Sequence, residues 1–95
     1  MSKNDDPFGE LSAELSEALR AVLHAARTDA DLSLGEVAAG SGLNRQAITF
    51  IEQGERRPTT ETFARHALSL GLRPSEVWKR AEDSLTARLQ RHLPN

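Results

Sequence analysis

Ninety-five residues with a formal net charge of −2 and 38% apolar side chains bound one small domain around a single modest core. The absence of cysteine excludes disulfides and thiolate metal ligands, and no apolar run approaches the roughly 20 residues of a membrane span. The opening MSKNDDPFGE has no signal-peptide pattern, so the expected location is the cytoplasm.

The charge is unevenly spread. Residues 1–42 hold three Lys/Arg against eight Asp/Glu, a net −5, whereas residues 43–95 hold nine against six, a net +3. A local basic patch, not the total, steers a protein to nucleic acid, so the acidic sum does not exclude DNA.

Residues 1–8 read as a flexible acidic arm, with Lys3 as its single base, and residues 9–95 as one domain. From Gly9 to Arg27, Leu11, Leu15, Leu19, Val22, Leu23 and Ala26 recur at steps of three and four, which predicts a long amphipathic helix. Glu10, Glu14 and Glu17 suit its N-terminal end. Thr28 to Asp31 ends it, and Leu32 is expected to plug the core.

Ser33 and Glu36 form a capping-box pair ahead of Leu34, Val37 and Ala38, which share one face of a second helix. Gly40-Ser41-Gly42 breaks that helix. Asn44 is an N-cap for a third, with Ala47, Ile48 and Ile51 turned inward and Gly54 at its stop. Two short helices around a glycine-containing turn, residues 33–54, predict a helix-turn-helix whose second helix can enter a DNA major groove.

Beyond the loop Glu55 to Pro58, Thr59 caps a fourth helix with Phe63, Ala64, Ala67, Leu68 and Leu70 on its apolar face. Leu70-Gly71-Leu72 reads as a Schellman stop, and Pro74 takes the first position of a fifth helix, residues 74–92. Val77 and Trp78 close the core, yet apolar residues continue through Ala81, Leu85, Leu89 and Leu93. Such a stripe, Trp78, Leu85 and Leu89, either meets a second copy of the chain or folds back over Leu11 and Leu15. The expected architecture is all-α, with five helices and an extended C-terminal one.

On the third helix the outward set is Arg45, Gln46, Thr49 and Phe50. Arginine can take guanine O6 and N7, glutamine adenine N6 and N7, and threonine or phenylalanine a thymine methyl. Arg56 and Arg57 in the following loop are placed to hold the phosphate backbone. His24, His66 and His92 fall on three predicted helices, a distribution that predicts surface residues and no metal site. No nucleophile–base pair or phosphate loop is present, so neither an enzyme nor a cofactor is expected.

The run S-L-x-E-V-A-x-x-S-G-L-N-x-x-x-I-x-x-I-E-x-G-x-R-x-P, Ser33 to Pro58, resembles the Cro/lambda-repressor-like (XRE) helix-turn-helix family. The resemblance extends from about Leu19 to Val77. It implies a transcriptional regulator, a repressor or autoregulator, that binds double-stranded DNA as a homodimer. It further implies base contacts from Arg45, Gln46 and Phe50, phosphate contacts from Asn44, Thr49 and Ser33, and an ion pair between Arg27 and Glu52. Two positions depart from the pattern: Leu34 stands where a backbone-bracing glutamine is common, and Ser41 where an apolar residue is usual. Phe50 can read a thymine, pack on the following loop or dock a protein. With Leu34 and the Leu85/Leu89 stripe it also fits a protein-binding module, such as an antitoxin that pairs with a toxin-like partner.

Overall fold

The computed structural model describes residues 6–93, which form six α-helices and no strand. The N-terminal arm proposed for residues 1–8 lies outside the described residues up to position 5. Helix α1 spans Pro7–Asp29, starting earlier than the leucine spacing implies. The Asp6 carboxylate accepts from Gly9 N at 2.9 Å and Pro7 occupies the first turn, so Asp6 serves as the cap and Pro7 and Phe8, expected in the arm, belong to the helix.

Helices α2 (Leu34–Ser41) and α3 (Arg45–Glu52) follow. In α2 the Ser33 hydroxyl accepts from Glu36 N at 3.0 Å and the Glu36 carboxylate from Ser33 N at 2.9 Å. The Asn44 side chain accepts from Ala47 N at 2.7 Å to start α3. Between them Gly42 has φ 76°, a left-handed conformation that side chains other than glycine's resist. Ser41, the polar departure, is buried but satisfied: its Oγ donates to Ala38 O at 3.3 Å and accepts from Leu43 N at 3.1 Å.

Helix α4 (Thr60–Ser69) is capped by Thr59, whose hydroxyl accepts from Thr62 N, and closes in the expected Schellman motif. There Leu72 N–H reaches Ala67 O at 3.1 Å and Gly71 N–H reaches Leu68 O at 3.0 Å. Leu68, assigned above to the apolar face, is 62% exposed. A ten-residue helix with neighbours on one side has room for Phe63 and Ala67 against the core, and Leu68 lies beyond that sector.

Helix α5 (Pro74–Asp83) is the second place where sequence and structure part. The helix expected to run to residue 92 is interrupted at Ser84–Leu85, and a separate helix α6 (Thr86–His92) follows. The hydroxyls of Ser84 and Thr86 donate to Ala81 O at 2.7 Å and Asp83 O at 2.9 Å, competing with the backbone ladder. Leu85 N–H has tightened to Glu82 O at 2.9 Å. Helix α6 reaches the N-terminal half of α1, where Arg88 meets Glu14 at 2.7 Å and His92 lies edge-on to Phe8.

The core forms where α1 lies along α5 and α3, and α4 closes against α5. Leu23, Ile51, Phe63, Ala67 and Val77 make its centre, bordered by Leu19, Val22, Leu70 and Leu72. Burying each large apolar side chain contributes about 1.5–3 kcal/mol. Trp78 meets Phe63 edge-on at 6.4 Å but stays 40% exposed, half wall and half surface.

Candidate nucleic-acid interface

Helix α3 is fastened from behind. Ile48 is fully buried and Ile51 nearly so, whereas Arg45 and Gln46, on its first turn, are exposed. Eight residues make little more than two turns, too few for a stable isolated helix in water, so these two isoleucines supply the rigidity.

Its C-terminal end is held by three side chains from α1. Glu52 has a side chain only 4% exposed, and Arg27 grips it in a fork: Nε donates to Oε2 at 2.6 Å and Nη2 to Oε1 at 2.9 Å. His24 Nδ1 lies 2.8 Å from Oε1, and Arg20 Nη1 donates to the Glu52 backbone carbonyl at 2.9 Å, satisfying one of the orphan acceptors at the helix end. Arg27 Nη1 also donates to Leu32 O at 2.9 Å, tying the connection into α2 to the same guanidinium. Burial alone would raise the Glu52 pKa, but the hydrogen bonds from Arg27 and His24 outweigh it and hold the carboxyl below its usual range.

His66 corrects an expectation. It is wholly buried rather than at the surface, with Nε2 4.0 Å from Glu52 Oε2 and neither ring nitrogen hydrogen-bonded. Burial pushes its pKa down; the Glu52 charge pulls it up, and Arg27 pushes it down again. His24, Arg20 and His66 are the members of this cluster that sequence reasoning missed. The steps from Arg20 to His24 and from His24 to Arg27, four and three residues, place all three on one face of α1 and were the available signal.

The outer face is differently arranged. Thr49 is half-buried, and its Oγ1 donates to Arg45 O at 3.1 Å, which directs its proton into the helix. The Asn44 oxygen is used as a cap, so its amide N–H groups are what remain for a partner. Phe50 is half-buried, with the Arg56 guanidinium 4.6 Å above its ring centroid. Arg57 is exposed in the same loop. Leu34, Thr49 and Gln53 line an open cleft of about 410 Å³ whose inner wall is Arg27 and Glu52. Among the described residues no group of three His, Asp or Glu is placed to hold a metal ion, and no helix is long and apolar enough to cross a membrane.

A two-helix motif with its second helix anchored inward and its first turn bare defines the helix-turn-helix class of DNA-binding regulators. The chain belongs to that family: the HTH_3 helix-turn-helix model matches residues 23–77, the XRE-type domain. Among solved structures it is similar to the clp gene regulator ClgR from Corynebacterium glutamicum. One ClgR structure is 30% identical over 75% of this chain and 92% of its own, with a TM-score of 0.67. A second is 26% identical over 85% and 96%, with a TM-score of 0.65. No curated protein sequence matches.

Proposed function

We propose that the chain is a sequence-specific, double-stranded-DNA-binding transcriptional repressor or autoregulator that acts as a homodimer, with α3 lying in the major groove. The observation that carries this reading is the opposition on α3 between buried Ile48 and Ile51 and exposed Arg45 and Gln46. Arg45 and Gln46 take base edges, and Thr49 on the same helix offers a methyl for a thymine. Asn44, Ser33, Arg56 and Arg57 hold phosphates and fix register without carrying sequence information. Repression follows from occupancy: a domain seated in promoter DNA excludes other proteins from it.

The likeness to a regulator of clp genes supports the regulatory half of the reading. The exposed Trp78 and Leu93, with Leu85 and Leu89 only half-buried between them in sequence, support a second copy as the partner of the C-terminal segment. Two-fold symmetry then requires a palindromic operator with half-sites about one helical turn apart.

Selection of bound sequences from random duplexes, at a fixed salt concentration, tests all of this together. The expected result is an enriched palindrome and a dimer by sedimentation. Recovery of an unenriched pool would overturn sequence-specific binding. A single unrepeated half-site bound by a monomer would overturn the dimer.

A further inference from the structure

Phe50 projects from the exposed side of α3, and the chain beyond the helix folds back across it. Gly54, at φ 76°, turns the backbone so that Gly54 N–H reaches Ile51 O at 3.1 Å and Glu55 N–H reaches Phe50 O at 2.9 Å. Arg56 N–H takes the same Phe50 carbonyl at 3.3 Å. Both main-chain attachments place Arg56 over the residue that accepts them, and its guanidinium carbon stands 4.6 Å from the ring centroid. A planar cation over an aromatic face is held by the ring quadrupole while its edge keeps N–H donors for another acceptor.

We propose that Phe50 is a positioning residue: it reads no base itself but holds the Arg56 guanidinium ready for a DNA phosphate beside the groove that α3 enters. The inference rests on the DNA-binding reading above and gives Phe50 a different part from the thymine contact implied by the sequence. A ring with one face under Arg56 has that face unavailable to a thymine methyl. An arginine on a short loop would otherwise surrender most of its rotamer freedom on binding, and stacking removes part of that cost in advance.

The test measures the slope of log K against log[salt] on a random-sequence duplex, together with base preference by selection, for wild type, Arg56→Ala, Phe50→Leu and Phe50→Tyr. Loss of one phosphate contact flattens the slope by about 0.9. Arg56→Ala is expected to do this. Phe50→Leu, which keeps apolar bulk but removes the ring face, should flatten it in the same sense with base preference intact. Phe50→Tyr should restore the wild-type slope, and a double variant combining Phe50→Leu with Arg56→Ala should be no flatter than Arg56→Ala alone. A Phe50→Leu protein with an unchanged slope, or with altered preference at one base pair, overturns the proposal. An Arg56→Ala slope equal to wild type also overturns it. A wild-type protein with no salt-dependent binding instead removes the DNA-binding reading beneath it.

Discussion

The two ends of α3 are built to opposite specifications. At the C-terminal end, Glu52 is enclosed by Arg27, His24 and His66, and its carbonyl is held by Arg20. At the N-terminal end, Arg45 and Gln46 stand exposed, and the backbone is bonded by the Asn44 cap and the Thr49 hydroxyl, both uncharged. Charge is committed to stability where water is excluded and left free where a partner can use it. A surface ion pair is worth little, whereas a buried fork that loses one partner leaves an uncompensated charge. One short helix therefore has its anchor and its reading edge at different ends, and changes at the two should separate folding from binding.

The largest effect belongs to the enclosed end. Replacing Arg27 by Met leaves the buried Glu52 carboxylate without its fork and should cost about 3–5 kcal/mol, read as a lowered thermal midpoint. Unchanged thermal stability would erase the contrast between the two ends. At the open end Arg45→Ala should keep stability within about 0.5 kcal/mol and cost about 1–3 kcal/mol of binding to the selected sequence, with preference relaxed at one base pair. Loss of thermal stability in this variant would instead make Arg45 a structural residue.

Acid should attack the enclosed end in two stages. His66 has its folded pKa depressed by burial, so the unfolded chain takes up its proton first and stability starts to fall as pH drops below the ordinary value of 6.5. Glu52 is also depressed, despite the cost of burial, by its bonds to Arg27 and His24. Its contribution is complete above the ordinary 4.5 and is lost as pH falls through the folded value. Urea midpoints measured from neutral pH downward should decline in that order, and a His66→Leu protein should lack the first stage. The smallest effect is expected from Arg57→Ala, which should weaken every duplex alike and flatten the salt slope by about 0.9, as electrophoretic mobility shifts at several salt concentrations would record.

What could be read in the sequence follows a physical division. Ser33 with Glu36, Asn44, Thr59 and Pro74 each act within one helical turn, so spacing alone located four helix starts. Gly42 and Gly71 mark helix ends for the same reason, since only the local φ is at issue. The leucine period could not reveal the break at Ser84–Leu85, because the step of four from Leu85 to Leu89 survives an interruption of the helix before it. The two hydroxyls that compete with the ladder there are as common on intact helices as at breaks. For the candidate interface, the exposure of Arg45 and Gln46 was legible from the inward isoleucines, whereas Thr49 and Phe50 are half-buried. Packing of Phe50 on the following loop is among the readings its position leaves open, but not that the Arg56 guanidinium lies over its ring.

By itself the sequence determined local facts of one kind: where most of the helices begin and end, and which stripe of each is apolar. It also carried the family motif from Ser33 to Pro58. Only the tertiary structure decided that His66 is buried, that Arg20, His24 and Arg27 converge on one glutamate, and that Arg88 of α6 meets Glu14 of α1. The reason is range. A cap or a turn is settled by neighbours three or four residues apart, whereas the fate of a charge or an imidazole depends on the dielectric and partners that distant helices bring, and no spacing rule contains those.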